Sequence, residues 1–302
     1  MSRLPQIALL PDGKRLHLQD GPIDLIVEAD GSEDEMRAAY RAAAQRFVGL
    51  LDELCKELAL LREAAAPRAC RLEGAVARRM HAAVTPFAAK EFITPMAAVA
   101  GSVAEEILGA MQGAAELDRA YVNNGGDIAL NLSPGTQFSV GVMDRPDRQG
   151  VMRTMLIHAE DAIAGIATSG RHGRSFSLGI ADAVTVLAKT ASQADAAATI
   201  IANAVDLPGH PAVRRCPANE LQVESDLGTR LVTREVGALS DGDVAKALAA
   251  GADCARHALA AGWIEGAALC LKGRIATVGV ARFDTPPSRD RRKSARESLM
   301  QA

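Results

Sequence analysis

Three short segments of the sequence carry residue types that bind phosphates, metal ions or nucleotides, and each follows a run with the composition of a β-strand. The first segment, residues 121–127, ends in Asn124, Gly125, Gly126 and Asp127. Two consecutive glycines let the backbone approach a ligand closely, and the flanking polar residues place acceptor oxygens beside backbone amides. Because Asn-Asn-Gly-Gly is also typical of a tight turn between strands, this segment alone leaves a ligand site and a plain turn equally open.

The second segment, residues 165–175, places small hydroxyl residues between glycines and follows them with positive charge. Its polar and small residues include Thr168, Ser169, Gly170, Arg171 and Arg174. Exposed amides, hydroxyls and guanidinium groups suit an anionic group such as a pyrophosphate. His172 has two interpretations: it binds a ligand or transfers protons, or it is a surface residue, which is the commoner situation for a loop histidine among arginines.

The third segment begins a helix and places two oxygen donors on it. Thr190 and Gln193 form a capping pattern, so the helix is predicted to begin there. Asp195 and Thr199 are then at positions i and i+4, on one helical face. A carboxylate and a hydroxyl one turn apart suit Mg²⁺ completed by a backbone carbonyl, waters and phosphate oxygens. An aspartate on an alanine-rich helix is more often simply solvated, so the spacing alone leaves both interpretations open.

Hydrophobic periodicity predicts the elements that must position these three segments. The predicted helices have apolar residues at three- to four-residue spacing, the first with a capping box at Ser32 and Glu35; they cover 33–64, 68–83, 95–113, 190–205 and 241–261. The predicted strands are short apolar runs bounded by Gly, Pro and Asn; they cover 7–10, 15–18, 23–29, 120–123, 128–132, 138–143, 153–158, 183–188, 230–236, 267–271 and 274–281. The three polar segments are interpreted as loops at strand ends.

This pattern predicts an α+β (mixed α/β) fold in which mixed or antiparallel sheets are flanked by helices, because the strands and helices do not alternate strictly. Residues 1–285 are expected to form one domain, with two lobes as an option, and 286–302 a basic disordered tail. The tail carries five basic residues between 288 and 296, which suit either a solvated end or an RNA-binding arm.

Composition excludes several classes of protein. The 302 residues carry a net charge of −3 and only nine aromatic residues, which argues against nucleic-acid binding over the whole surface and against base-stacking platforms. The five cysteines form no CxxC pair, as expected for reduced thiols in the cytoplasm. The apolar run over 92–104 is too short for a membrane span. We therefore expect a cytoplasmic protein, and its alanine-faced helices are compatible with a homodimer.

The order and content of the three segments resemble the ApbE-like superfamily, whose characterised members are FAD:protein FMN transferases. The matching motifs are V-A-G at 99–101, V-N-N-G-G-D at 122–127, I-A-T-S-G at 166–170, V-T-V at 184–186, and A-D at 194–195 with Thr199. The likeness is stronger still to an uncharacterised ApbE-like branch of that superfamily, carried by residues 21–25 and 169–179 and extending over nearly the whole chain. The resemblance implies an ApbE-like fold.

The resemblance also implies a site for FAD and Mg²⁺. It assigns metal contacts to Asp195, Thr199 and a backbone carbonyl near Val99. It assigns phosphate or flavin contacts to the turns that contain Asn124, Gly125, Gly126 and Asp127 and Thr168, Ser169, Gly170 and Arg171. In the transferases, a threonine or serine of an acceptor protein attacks the FMN phosphorus of FAD and AMP is released, while Mg²⁺ offsets the pyrophosphate charge.

One departure from the superfamily keeps a second function open. The transferases carry an H-x-x-D-P-x-T-G segment between the I-A-T-S-G motif and the V-T-V strand, and this chain has none. His172 and Asp182 are the candidates for the missing catalytic roles. The alternative is a non-catalytic relative that binds a nucleotide or pterin-like ligand and acts in cofactor biosynthesis or assembly.

Overall fold

The computed structural model describes residues 4–66, 70–142 and 153–279. Its strands, in chain order, are β1 (Gln6–Leu9), β2 (Leu16–Asp20), β3 (Ile23–Asp30), β4 (Arg119–Asn124), β5 (Asp127–Leu132), β6 (Gln137–Val142), β7 (Arg153–His158), β8 (Gly165–Ser169), β9 (Ala183–Ala188), β10 (Val213–Pro217), β11 (Leu231–Val236), β12 (Gly266–Leu271) and β13 (Arg274–Gly279). Nine of them form an antiparallel sheet in the order β1-β2-β3-β4-β5-β8-β9-β12-β13. The pairs β6–β7 and β10–β11 form two small sheets.

The helices pack mainly on one face of the large sheet. They are α1 (Glu33–Phe47), α2 (Leu50–Lys56), α3 (Leu58–Leu61), α4 (Ala75–Val84), α5 (Val99–Gln112), α6 (Ala191–Ala204), α7 (Ala218–Leu221) and α8 (Asp241–Ala260), with short 3₁₀ turns at Pro95–Ala98 and Ala159–Asp161. Helices α5 and α6 contact each other; α5 packs on β4 and β5, and α6 packs on β8 and β9. The mixed α+β fold predicted from the sequence is confirmed.

Alternation along the strands gives the sheet two apolar faces. Val122, Ala129 and Val184 belong to the main core beneath α5 and α6. Their neighbours Leu130 and Ile166 lie on the opposite face, in a smaller core with Met155 and Ile157 of β7. Successive side chains of a strand point to opposite faces, so each polar residue of these strands can be assigned to the helix side or to the β6–β7 side.

Glycines bring α5 and α6 close to each other and to the sheet. A Cβ placed on Gly101 would lie 2.3 Å from the carbonyl oxygen of Ala191, and one on Gly165 would lie 2.1 Å from the carbonyl carbon of Thr190. Ordinary side chains at these two positions would separate the first turn of α6 from α5 and from β8. The alanine-rich sequence of α6 permits the same close packing along the rest of that helix.

Two predictions of secondary structure are wrong. The helix predicted over 33–64 is three helices, because Gly49 adopts a left-handed conformation with φ +82° and breaks the chain direction between α1 and α2. Ser32 still caps α1 by accepting from the Glu35 amide at 3.3 Å. The segment predicted as a loop after residue 165 is instead strand β8, because neighbours on both sides supply it with backbone partners.

Other boundaries shift or fall outside the described ranges. The helix predicted over 68–83 begins only at Ala75, and strand β10, which pairs with β11, was not predicted. The predicted tail over 286–302 and the ends of the strands predicted over 138–143 and 274–281 lie outside the described residues. Among the helices that are described, none is both long and apolar enough to cross a membrane.

Candidate functional site

The Asn-Asn-Gly-Gly segment forms a two-residue turn between β4 and β5. Asn124 and Asp127 are paired, and Gly125 and Gly126 between them have φ angles of +65° and +112°. The side chain of Asn123 accepts from the Gly126 amide at 2.8 Å. Such a turn requires residues that tolerate positive φ at both central positions, which explains the two glycines. The segment is therefore a turn between strands, and its bearing on a ligand site depends on the directions of the flanking side chains.

Asn124 links the end of β4 to the beginning of α5. It lies on the helix side of the sheet, two residues after Val122, and is only 8% exposed. Its Nδ2 donates to the carbonyl oxygen of Ala100 at 3.2 Å. Because Ala100 is the second residue of α5, this hydrogen bond fixes the first turn of the helix beside the β4–β5 turn.

The side chain of Asp127 accepts a hydrogen bond where the backbone pairing of β5 with β8 ends. Strands β5 and β8 are paired at only two positions, and Ile128 with Ile166 is the pair nearer to Asp127. Beyond this pair the strands separate, and the Asp127 carboxylate accepts from the Thr168 amide at 3.1 Å. Burial raises the pKa of Asp127 to about 7, while the Thr168 amide and the charge of Arg174 act in the opposite direction.

Asp195 places a second carboxylate in the same region from the helix side. Its Oδ2 accepts from the Gly101 amide at 3.0 Å, and the Ala100 amide also stabilises its charged form. Burial, followed by the negative charge of Asp127, raises the pKa of Asp195 well above its usual range. Two acidic residues that are distant in the sequence therefore interact electrostatically in the fold.

The remaining predicted metal ligands lie on the same two helices. Thr199 is partly buried and follows Asp195 by one turn of α6, and Val99 is the first residue of α5, two positions before Gly101. Within the described residues, no group of three or more His, Cys, Asp or Glu side chains could hold a metal ion. The oxygen donors available on these elements are therefore two half-buried carboxylates, a hydroxyl and a backbone carbonyl, the ligand types that hard divalent cations take.

Strand alternation separates the two hydroxyl residues at the end of β8. Thr168 pairs with Thr185 on the β6–β7 side of the sheet, where their hydroxyl oxygens are 2.9 Å apart. Only the backbone amide of Thr168 is therefore directed toward Asp127. Ser169 is paired with Val184, a residue of the main core, and so lies on the helix side with Asp195.

Arg171, His172 and Asp182 form a separate cluster beyond the end of β8. Asp182 is 4% exposed and accepts from Arg171 Nε at 2.9 Å and from the Lys272 amide at 2.5 Å. Its carboxylate also lies 3.3 Å from His172 Nε2. Gly170 permits this packing, because a Cβ on it would lie 2.7 Å from the Asp182 carbonyl oxygen. The predicted anion-binding Arg171 is therefore held in an ion pair with a buried carboxylate.

Two contributions to the site were not predicted from the sequence. Glu105 of α5 accepts from the Ser192 amide at 2.6 Å and pairs with Arg79 of α4, so it fixes the start of the helix that carries Asp195. Arg174, predicted only to add positive charge near an anion, lies against Gly125 of the β4–β5 turn. Neither contact leaves a sequence signal, because each joins elements distant in the chain.

Comparison with known proteins finds a matching family model and several relatives. The model of a family described as "AbpE bacteria" matches residues 7–277. A UPF0280 protein of Methanopyrus kandleri is 35% identical over 188 residues, which cover 60% of this chain and 69% of the relative. A UPF0280 protein of Methanosphaerula palustris is 38% identical over 125 residues, covering 37% and 47% respectively. The chain thus spans just under half the length of the second relative.

Among solved structures, the apo form of the flavinyl transferase ApbE of Pseudomonas stutzeri aligns with 94% of this chain and 98% of its own. The TM-score is 0.45 and the sequence identity is 11%.

Proposed function

The chain belongs to the AbpE bacteria family, and we propose that it is a flavin-nucleotide-binding protein that holds the pyrophosphate of FAD with the help of Mg²⁺. The activity that we propose is transfer of FMN from FAD to a serine or threonine of an acceptor protein, or cleavage of the FAD pyrophosphate. One observation carries the proposal: Asp127, at the β4–β5 turn, and Asp195, bonded to the first turn of α5, are close enough that the charge of Asp127 raises the pKa of Asp195.

The residues of this chain suit that task through charge and position. Asp195, Asp127, Thr199 and the Val99 carbonyl are the oxygen donors that would hold Mg²⁺, and the bound ion supplies the positive charge that a pyrophosphate requires. Hydrogen bonds to the carboxylates of Asp195 and Asp127 from backbone amides keep both groups in place before any ligand arrives. Such preorganised groups lower the cost of arranging charge during phosphoryl-type transfer.

A second function is favoured by the environment of Asp182. This residue is a candidate for a catalytic role that the absent H-x-x-D-P-x-T-G segment would otherwise fill, yet its carboxylate is buried and already bonded to Arg171 and to the Lys272 amide. A carboxylate held in this way acts as a structural anchor for the loop after β8. The alternative proposal is therefore a non-catalytic relative that binds a nucleotide or pterin-like ligand and serves cofactor biosynthesis or assembly.

Incubation of the full-length protein with FAD and MgCl₂ distinguishes the two functions. AMP release measured by chromatography, with flavin bound to added protein or freed as FMN, supports the transferase or pyrophosphatase. Tight retention of a nucleotide or pterin without turnover and without a Mg²⁺ requirement supports the alternative. Asp195→Asn should abolish AMP release, whereas Asp253→Asn, on a 73% exposed side chain of α8, should leave it unchanged. The absence of both turnover and retention would refute both proposals.

A further inference from the structure

The guanidinium of Arg174 lies against the turn between β4 and β5. A Cβ placed on Gly125 would lie 3.5 Å from both Cζ and Nη1 of Arg174, which is ordinary van der Waals contact. Because Gly125 and Gly126 have no side chains, the surface that they form beside this guanidinium is bare backbone. A phosphate could therefore approach the turn closely and reach the arginine at the same time.

Arg174 differs from the other arginines near the site in having no carboxylate in direct contact, although its charge acts on Asp127 from a greater distance. Arg171 pairs with Asp182, Arg79 with Glu105, and Arg215 with Asp206. Across residues 4–66, 70–142 and 153–279, no carboxylate lies within ion-pair distance of Arg174, and its side chain is exposed. Its donors are consequently available to a ligand without breaking an existing ion pair.

The existing ion pairs of the two arginines indicate which of them can bind an anion. Recruiting Arg171 would leave the buried Asp182 carboxylate without its charged partner, which is costly in a site of low polarity. Recruiting the exposed Arg174 breaks no ion pair of contact distance. A guanidinium also matches two phosphate oxygens at once, a geometry that a lysine ammonium lacks.

We propose that Arg174 binds a phosphate of the ligand at the β4–β5 turn and thereby selects phosphorylated flavins over uncharged riboflavin. This inference rests on the proposed function, because it names the part of the flavin nucleotide that one residue recognises. It also assigns the anion-binding role to Arg174 in place of Arg171.

Calorimetric titration of the full-length protein with FAD, FMN and riboflavin in MgCl₂ tests the inference. Arg174→Gln should weaken the binding of FAD and FMN by about 10- to 100-fold, the range expected for loss of a charge-assisted hydrogen bond, and should leave riboflavin binding unchanged. Arg174→Lys should restore part of the loss. Arg214→Gln, which changes a 79% exposed arginine on β10, is the matched control and should bind all three flavins as the wild type does.

A parallel titration with inorganic pyrophosphate and Mg²⁺ separates this inference from the proposed function. If the wild type binds pyrophosphate but no flavin, the proposed function fails and the flavin selectivity falls with it; weaker pyrophosphate binding by Arg174→Gln then supports the phosphate contact, and equal binding overturns it. If the wild type binds FAD and Arg174→Gln binds it equally well, the inference is overturned and the proposed function stands. Equal weakening of FAD and riboflavin would also overturn it, and so would failure of the wild type to bind any of these compounds.

Discussion

Asp195 of α6 accepts a hydrogen bond from the backbone amide of Gly101 in α5, with 3.0 Å between nitrogen and Oδ2. This contact requires the two helix backbones to be unusually close, and they are close because residue 101 has no Cβ. The same glycine therefore serves packing and the site together. Its position couples the stability of the α5–α6 contact to the orientation of the carboxylate.

We expect Gly101→Ala to destabilise the protein and to weaken cation binding, because the new Cβ would lie 2.3 Å from the Ala191 carbonyl oxygen and must push α6 away. Overpacking of this kind costs about 1–3 kcal/mol. Urea unfolding measures the loss, and titration with Mn²⁺ followed by electron paramagnetic resonance measures cation binding. Gly109→Ala on the same helix meets nothing within 4 Å and should stabilise the protein by up to about 1 kcal/mol. Equal effects of the two substitutions would contradict this explanation.

Removing one negative charge from the carboxylate pair should have opposite effects on stability and on cation binding. Above pH 7, where Asp127 is ionised, Asp127→Asn or Asp195→Asn removes one of two half-buried groups whose charges oppose each other, so we expect a higher melting temperature in EDTA. The same variants should lose most of the thermal stabilisation that Mg²⁺ or Mn²⁺ gives to the wild type. Differential scanning fluorimetry measures both quantities. Cation-induced stabilisation that persists in both variants would show that the pair does not hold the ion.

The metal-free protein should become less stable as the pH rises from about 4 to about 7. The pKa of Asp127 is about 7 in the folded protein, against 3.8 for an unperturbed aspartate. Between these values the unfolded chain releases this proton and the folded chain retains it, so the unfolded state binds fewer protons and stability falls with pH. The contribution is at most about 1.4 kcal/mol per pH unit. The stabilisation that the proton on Asp127 provides is complete below pH 4 and lost above pH 7.

Asp127→Asn isolates this pH dependence from that of other groups. Asp195, whose pKa is also raised, acts in the same direction, whereas Glu106 has a lowered pKa and opposes the trend. Chemical unfolding in EDTA at several pH values gives the free energy of unfolding of the wild type and of the variant. The wild-type value minus the variant value should decline between pH 4 and pH 7. A difference that is constant or rises over this interval would show that Asp127 is not the responsible group.

The sequence predicts which segments converge but not how their side chains pair. The motifs near residues 124, 168 and 195 were expected to share one site, and the structure does bring them together. The pairing of Asp127 with Asp195 was not predicted, because no periodicity relates residues on a turn and on a distant helix. The choice between Arg171 and Arg174 could not be made either, since it depends on Asp182 being buried beside the first of them.

The wrong predictions of secondary structure have the same physical origin. Residues 165–169 contain glycine, threonine and serine, which favour turns locally, but β5 and β9 provide hydrogen-bond partners that hold them extended. The apolar periodicity over 33–64 is continuous, yet Gly49 at φ +82° divides it. In the first case the pairing with neighbouring strands overrides the local preference for a turn. In the second case the backbone conformation of one glycine ends a helix that the apolar pattern would continue.

Glu105 should contribute to the site through the start of α6 rather than through a ligand. Its Oε1 accepts from the Ser192 amide at 2.6 Å, and its Oε2 lies 3.1 Å from Arg79 Nε. Glu105→Ala therefore leaves an amide of the first helical turn without its acceptor and should cost about 1–2 kcal/mol, the usual value of a lost cap.

Hydrogen exchange at the first turn of α6 should accelerate in Glu105→Ala, and urea unfolding should give the loss of stability. Glu53→Ala is the matched control, because Glu53 is 46% exposed and pairs with Arg46 at the surface, where an ion pair contributes at most about 1 kcal/mol. Because Asp195 lies on the turn that Glu105 secures, cation affinity should fall in Glu105→Ala and not in Glu53→Ala. Unchanged exchange at Ser192 would show that the amide does not depend on Glu105.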